Sequence, residues 1–236
     1  MPLFRRRLPS PARVARPERP PTARERRAID AYHRWYYDTE VWKRTTWRGV
    51  MVQKWVGDLW SYAEILHALR PTLVVEVGTS FGGSALWFAD TMSAVAPPAR
   101  VLTVDVDGER CAAVVRDDPR IERLVASSLD PAVASRVRAL RAQRPGPVFL
   151  ILDGNHAADH VLAEMEAFRD VLVRGDVLVV EDGNVNGHPV LPEHGPGPLE
   201  AVRAYVARRP DDYERDLAHE ARFGLTFAPE GFLVRR

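Results

Sequence analysis

Short apolar runs recur along the chain and alternate with stretches whose apolar residues fall at helical spacing. The runs span 73–78 (LVVEVG), 101–107 (VLTVDVD), 121–128 (IERLVASS), 149–153 (FLILD) and 177–182 (VLVVED). Helical patterns cover 58–69, 84–92, 108–116, 131–143, 158–173 and 199–209. Continuous apolar strands that alternate with helices are typical of a parallel sheet covered on both faces. The pattern therefore predicts an α/β fold with a mostly parallel sheet.

The two ends of the chain depart from this alternation. Residues 225–227 (LTF), the turn APEG and the final FLVRR predict a C-terminal antiparallel hairpin at the sheet edge. Residues 1–27 are rich in Arg and Pro and predict a flexible arm, either a solvated tail or a strap across a neighbouring subunit. Residues 28–57 are aromatic and should lie against the main domain, 58–236, or against another chain.

Composition narrows the class of protein. With 236 residues and 46% hydrophobic content the chain can bury one sizeable core, and a formal net charge of +1 favours neither nucleic acid nor membrane as a partner. The single cysteine, Cys111, excludes an internal disulfide and suits a reducing compartment. Neither a spanning apolar window nor a signal-peptide core is present, so we expect a cytoplasmic protein.

A glycine-rich turn follows the first core strand. Residues 76–86 (EVGTSFGGSAL) place Gly78, Gly82 and Gly83 before a helix, where backbone can approach a ligand closely. The spacing is not G-x-G-x-x-G, and no Lys-Ser/Thr pair follows as in a nucleoside triphosphate loop. The turn therefore predicts a ligand other than NAD or ATP.

Two acidic residues narrow the identity of the predicted ligand. Glu76 would repel a pyrophosphate but suits the ammonium of an amino-acid group, which favours S-adenosylmethionine. Asp105 ends the second strand, where an acid commonly accepts hydrogen bonds from ribose hydroxyls. Taken alone, a glycine-rich turn or an acid at a strand end is also common for purely structural reasons. Ser127 and Ser128 would then lie near the adenine. The predicted cofactor-binding residues are Glu76, Gly78, Thr79, Gly82, Ser84, Asp105, Ser128 and Asp153.

Carboxylates end two further core strands. Asp153 follows one strand, and Glu181 and Asp182 follow another. Neighbouring strands lie about 4.8 Å apart, so the three acids could share one ion, and three crowded carboxylates otherwise repel each other. Oxygen ligands predict Mg²⁺ first, then Mn²⁺ or Ca²⁺. The alternative is that Asp153 caps a helix while the other two form turn hydrogen bonds.

His156 is the candidate general base because it follows Asp153 by three residues. Its ordinary pKa of about 6.5 lies about nine units below that of a water-like hydroxyl, a gap of roughly 12 kcal/mol. A metal that binds the hydroxyl oxygen would remove part of that gap. His160 follows four residues later, as in a zinc site, but Ala157 stands where the zinc-protease pattern needs Glu.

Substrate contacts are predicted in two places. Tyr36 and Tyr37 belong to the aromatic segment and could line a pocket, although aromatic stripes are more often core. His188 lies in a long Gly- and Pro-rich stretch after Asp182, which is typical of a lid or binding loop.

Several motifs together resemble the cephalosporin hydroxylase and rhamnosyl O-methyltransferase family. They are TTWRG, DLWSYAEIL, EVGTSFGGSAL, LILDGNH, VVEDGNVNGHPV, GPGPLEAV and LTFAPEGFLVR, between about residue 36 and the C-terminus. The resemblance implies a Rossmann-like methyltransferase fold, Mg²⁺ held by Asp153, Glu181 and Asp182, and His156 as base. It also implies homo-oligomers, often tetramers or hexamers. One departure is Trp55-Val56 after Lys54, where the family pattern is Lys-x-Pro.

The function expected from residues and resemblance is methyl transfer from S-adenosylmethionine to oxygen, dependent on Mg²⁺. The acceptor would be a hydroxyl of a rhamnose-type deoxysugar, either nucleotide-linked or attached to a natural product. Alternatives are a hydroxylated β-lactam as acceptor, a metal-dependent hydrolase that uses the same carboxylates, and a catalytically silent binding module.

Overall fold

A computed structural model describes residues 19–236, in which a seven-stranded sheet is covered by helices on both faces. The helices are α1 (Ala23–Asp38), α2 (Val56–Leu69), α3 (Gly83–Val95), α4 (Ala113–Arg116), α5 (Pro131–Gln143), α6 (Ala158–Phe168), α7 (Pro198–Arg208) and α8 (Leu217–Ala221). The strands are β1 (Thr46–Trp47), β2 (Val50–Met51), β3 (Leu73–Val77), β4 (Val101–Asp105), β5 (Ile121–Val125), β6 (Val148–Leu152), β7 (Val177–Val180), β8 (Tyr213–Arg215) and β9 (Phe232–Arg235).

The strand order is β5-β4-β3-β6-β7-β9-β8, and β1 and β2 form a separate two-stranded sheet. Strands β3 to β7 run parallel, and β9 pairs antiparallel with both β7 and β8. The predicted α/β fold with antiparallel strands at the C-terminus is thereby confirmed. The partner of β9 differs from the expected one: it is β8, whereas residues 225–227 form no strand.

The central strands are buried on both sides. All five residues of β6 (VFLIL) are buried, and their side chains alternate between two cores. Phe149 and Ile151 pack with α2 and α3, while Leu150 and Leu152 pack with α5, α6 and α7. Because Leu152 pairs with Val77 of β3 and with Val180 of β7, the three strands end side by side.

Helix α1 begins inside the segment expected to be a flexible arm. Thr22 and Glu25 form a reciprocal capping box that satisfies the first turn. Residues 1–18 of the expected arm lie outside the described part of the chain. Within residues 19–236, every helix is too short or too polar to cross a membrane.

Asp176, just before β7, joins three elements. Its carboxylate accepts hydrogen bonds from both terminal nitrogens of Arg141 on α5, at 2.6 and 3.0 Å. It also accepts from the backbone N–H groups of Val148 (2.9 Å) and Val173 (2.8 Å). The side chain is only 1% exposed, so the arrangement amounts to a buried ion pair with two backbone donors.

Asp176→Ala should lower the free energy of unfolding by about 3–5 kcal/mol, because it removes the carboxylate that accepts from Arg141, from the buried N–H of Val148 and from the N–H of Val173. Urea denaturation of the variant and the wild type measures this change. Asp170→Ala is the matched control: that side chain is 78% exposed, and the loss should stay within about 0.5 kcal/mol. Equal effects of the two substitutions would contradict the role given to Asp176.

Candidate active site

The carboxyl ends of the parallel strands open into a cavity of ≈ 650 Å³, within the usual size range of small-molecule sites. It collects most of the residues singled out from the sequence: Tyr37, Gly78, Thr79, Ser84, Asp105, Ser128, Asp153, His156 and Asp182. Glu76, Gly82, Glu181, Tyr36 and His188 do not line it.

Gly78 lets the loops after β3 and β6 press together. Its φ is +101°, and a Cβ at this position would collide with the carbonyl oxygen of Asp153. Only glycine meets both requirements. Gly82 has a φ of +85° and starts α3 as its N-cap, where an added Cβ would lie only 2.8 Å from a methyl group of Val115. The glycine-rich turn therefore shapes one wall of the cavity, through Gly78 at its surface and Gly82 behind it.

Asp105 is held in one orientation by backbone donors. Its Oδ2 accepts from the N–H of Ser80 at 2.8 Å, and its Oδ1 accepts from the N–H of Asp107 at 2.9 Å. Each carboxylate oxygen still has a further lone pair, and the residue lines the cavity. This geometry suits an acceptor for paired hydroxyls such as those of a ribose.

Glu76 lies beneath the cavity. It is fully buried, and its Oε2 accepts from the hydroxyl of Thr103 at 2.7 Å, while Oε1 has no hydrogen-bond partner in the described chain. Burial raises its pKa to about 7, although Lys54, Ser84 and Thr103 act to lower it. Thr79 and Ser84 lie between this carboxyl and the cavity surface.

Asp153, His156 and Asp182 form a group whose ligand atoms all lie within 4.8 Å of one another. His156 Nε2 lies 3.1 Å from Asp182 Oδ2 and 3.7 Å from Asp153 Oδ1. Asp182 has a φ of +54°, a left-handed conformation that few non-glycine residues adopt and that is common at functional sites. The two carboxylates at this spacing suit a divalent cation with the imidazole beside it, whereas Glu181, the third predicted ligand, does not belong to this group.

The charges in this group perturb each other. Burial alone would lower the pKa of His156, but the neighbouring Asp182 and Asp153 outweigh it and raise the pKa to about 9. Burial raises the pKa of Asp182 to about 6, despite the opposing effect of His156. The pKa values of His156 and Asp182 are therefore strongly perturbed by burial and by their neighbours, as is common at catalytic sites.

Glu181 is held by partners that sequence reasoning did not connect to it. Its Oε1 lies 3.1 Å from the Lys54 ammonium and accepts from the Tyr62 hydroxyl at 2.6 Å. Lys54 also contacts Asp153 Oδ2 at 2.5 Å, and its side chain is 2% exposed. Burial alone would lower the pKa of Lys54, but Asp153 and Glu181 outweigh it and raise the pKa, so the ammonium stays charged.

Lys54 is thus a site residue whose role the sequence left open. A signal was present, since the chain has 33 basic residues and only Lys43 and Lys54 are lysines. A compact ammonium can fit between two carboxylates where a planar guanidinium needs more room. The sequence could not identify the ion-pair partner of Lys54, because Lys54 and Asp153 are 99 residues apart.

The aromatic segment is divided between the cavity and the core. Tyr37 lines the cavity and stacks on Trp42 at 5.5 Å between ring centroids. Burial and the charge of Asp182 raise the pKa of Tyr37 to about 12. Tyr36 instead packs edge-on against Trp55 at 4.8 Å and is 4% exposed. Of the two tyrosines, only Tyr37 lies at the cavity surface.

The two remaining histidine candidates lie apart from the charged group. His188 faces a second cavity, between α1 and α8, and its Nε2 lies 2.8 Å from Glu200 Oε1. His160 lines the first cavity but contacts Glu164 at 3.2 Å, and it does not belong to the group formed by Asp153, His156 and Asp182. The His156–His160 spacing therefore creates no paired zinc site within residues 19–236.

The sheet order, the antiparallel β9, the glycine turn after β3 and the acid ending β4 define a Rossmann-like methyltransferase fold. Comparison with known proteins identifies a family within this class. A model of the family Rhamnosyl O-methyltransferase/CmcI matches residues 39–236, and the chain belongs to that family. The recognition made from sequence motifs is confirmed.

Two curated relatives are named Rhamnosyl O-methyltransferase. The one from Mycobacterium tuberculosis (strain ATCC 25618 / H37Rv) is 48% identical over 206 residues, 87% of this chain and 84% of the relative. The one from Mycobacterium leprae (strain TN) is 48% identical over 207 residues, 88% and 90% respectively. Among solved structures, an apo-structure of CmcI superposes with a TM-score of 0.65 at 25% identity, covering 82% of this chain and 76% of CmcI.

Lys54→Met should lower the free energy of unfolding by about 3–5 kcal/mol in the presence of a chelator, because Asp153 and Glu181 lose their buried counter-charge. Saturating Mg²⁺ should recover part of this loss by supplying another cation. Thermal and urea denaturation with and without Mg²⁺ measure both effects.

Lys43→Met is the matched control, because Lys43 is 42% exposed and pairs with Glu40 at the surface. That substitution should change stability by no more than about 1 kcal/mol under either condition. A Lys54→Met variant as stable as the wild type in chelator would contradict the compensating role of Lys54.

Proposed function

We propose that the chain transfers a methyl group from S-adenosylmethionine to a sugar hydroxyl, with Mg²⁺ as the preferred metal. The observation that carries this proposal is a single cavity that places Asp153, His156 and Asp182 beside the Gly78 turn and Asp105. The family to which the chain belongs supports the same activity.

The binding site of the methyl donor is proposed to lie along the cavity wall that the glycine-rich turn shapes. Asp105 is oriented to accept from ribose hydroxyls, and the turn of Gly78 and Thr79 brings backbone close to the amino-acid part. Gly82 and Ser84 begin α3 behind that turn, and Glu76 places a buried carboxyl group beneath it. Ser128 and Asp153 complete the proposed set at the ends of β5 and β6.

The metal ligands are proposed to be Asp153, Glu181 and Asp182. Lys54 and Tyr62 both contact Oε1 of Glu181, which leaves its Oε2 unused by either of them. Carboxylate oxygens suit Mg²⁺, with Mn²⁺ or Ca²⁺ as alternatives. A cation bound here would stabilise the acceptor oxygen as it loses its proton.

His156 is proposed as the general base. In the metal-free protein Asp182 and Asp153 raise the pKa of His156 to about 9 and favour its protonated form. A divalent cation bound to these carboxylates would offset that effect, so that Nε2 could accept a proton at the cavity. It would take the hydroxyl proton while the acceptor oxygen bonds to the methyl carbon and the carbon–sulfur bond breaks. The sulfur keeps the electron pair of that bond, so the products are a methyl ether, S-adenosylhomocysteine and a protonated His156.

The acceptor side is proposed from the aromatic residues that line the cavity. Tyr37 and Trp42 present a stacked aromatic face of the kind that packs against sugar rings. A rhamnose-type deoxysugar, nucleotide-linked or on a natural product, fits the names of the 48% identical relatives. Tyr36 and His188 would act less directly, since one packs in the core and the other faces the second cavity.

The oligomeric state and the cellular location of the protein are also proposed. We propose a cytoplasmic homo-oligomer, a tetramer or hexamer, in which α1 takes part in subunit contacts. Tyr32, Trp35 and Trp60 support this because their side chains are large, apolar and about half exposed.

His156→Ala should reduce methyl transfer by about 10²–10⁴-fold while leaving affinity for S-adenosylmethionine nearly unchanged, because the base touches the acceptor and not the donor. Turnover of a rhamnosylated acceptor and calorimetric titration of the donor measure the two effects. His194→Ala is the control, since His194 is exposed in a loop and should keep full activity. Unchanged turnover in His156→Ala would remove His156 as the base.

A chelator should abolish methyl transfer to rhamnosylated acceptors, and added Mg²⁺ should restore it. Mass spectrometry of the acceptor with labelled S-adenosylmethionine follows the reaction. A panel that includes a hydroxylated β-lactam separates the acceptor classes. Turnover of an ester or phosphate substrate without S-adenosylmethionine would instead favour the metal-dependent hydrolase.

A further inference from the structure

Lys54 places a buried positive charge at the edge of the proposed metal site. Its ammonium lies 2.5 Å from Asp153 Oδ2 and 3.1 Å from Glu181 Oε1, and its side chain is 2% exposed. The other oxygen of the Asp153 carboxylate, Oδ1, lies 3.7 Å from His156 Nε2. A cation held by Asp153 and Asp182 would therefore be separated from the ammonium by a single carboxylate group.

The three acids at this edge differ in how their charges are balanced. Lys54 and the Tyr62 hydroxyl both contact Oε1 of Glu181, so that carboxylate has a buried positive charge as its partner. Asp153 and Asp182 form the group at the cavity, and their two negative charges equal the charge of one divalent ion. The pairing of Lys54 with Glu181 thus sets the charge that an ion at the cavity has to balance.

Two further acids, Asp58 and Glu76, lie near Lys54 outside this group. They are 2% and 0% exposed. Burial raises the pKa of Glu76 to about 7 and that of Asp58 well above its usual value, which favours their uncharged forms. These two acids therefore offset the ammonium of Lys54 less than ionised carboxylates would.

We propose that Lys54 restricts the metal site to divalent ions by disfavouring cations of higher charge. This inference rests on the metal site of the proposed function. Coulomb repulsion from the ammonium grows in proportion to the charge of the bound ion, and buried charges are little screened by salt. A neutral side chain in place of Lys54 would therefore remove more repulsion for a trivalent ion than for a divalent one.

Calorimetric titration of the chelator-treated protein with Ca²⁺ and with Tb³⁺ tests the inference, because the two ions are similar in radius and both prefer oxygen ligands. In Lys54→Met the preference for Tb³⁺ over Ca²⁺ should rise by about tenfold or more, since one unit of repelling charge is removed at short range. The ratio of the two affinities isolates the effect of charge, because a disturbed arrangement of the carboxylates would weaken the binding of both ions alike.

Tyr62→Phe is the matched control, because Tyr62 donates to the same oxygen of Glu181 and carries no charge. It should change both affinities by a similar factor and keep the wild-type ratio. Lys54→Gln is a second neutral variant that retains a hydrogen-bond donor, so the test does not depend on the folding of Lys54→Met. A wild-type ratio in the neutral variants of Lys54 would overturn the inference. If the wild type binds neither ion, the proposed metal site fails, and the inference fails with it.

Discussion

The site depends on keeping three carboxylates together at one buried edge of the sheet. Strands β6 and β7 are neighbours, so Asp153, Glu181 and Asp182 cannot move apart without breaking the ladder. Two cationic side chains from different parts of the chain compensate the repulsion among these carboxylates. Lys54 bridges Asp153 and Glu181, and His156 lies beside Asp182. Buried charges of this kind are tolerated only when they are paired.

The Lys54 bridge also fixes the N-terminal part of the chain onto the sheet. A second attachment lies at His33 of α1, whose Nε2 is 2.9 Å from the side-chain nitrogen of Asn184 and whose ring stacks on Phe227 at 5.4 Å. Burial lowers the pKa of His33 to about 4, so the ring is neutral at physiological pH and can accept from the Asn184 amide. Electrostatics at the sheet edge and aromatic packing at α1 together hold Tyr37 and Trp42 at the cavity.

Sequence patterns predicted the parallel core well because its strands are buried on both faces and read as unbroken apolar runs. Helix α5 matched over Pro131–Gln143 because Asp130 caps it and proline is favoured at the first helical position. Strand β8 was missed because its three residues, Tyr-Glu-Arg, form a polar edge strand with no periodic signal. Helix α4 is shorter than its predicted span because it starts only at Ala113.

The site was predictable where one strand end determines a residue's place, as for Asp105, Asp153 and Asp182. Which of two adjacent tyrosines faces the cavity depends on how α1 is rotated, and periodicity alone does not fix that rotation. The pairing of Lys54 depends on contacts across 99 and 127 residues, beyond any local pattern. His188 illustrates a further limit, because a loop residue next to a site motif can face another surface.

The family model begins at residue 39, one position after α1 ends, but the 206 residues matched by the 48% identical relative extend into α1 and form a longer shared region. The charged edge and the glycine turn both lie inside it. Substitutions at Tyr37 on α1 could remodel the aromatic wall while the reacting groups, which other elements carry, stay in register. Diversification of what is methylated would then require changes in one helix and none in the chemistry.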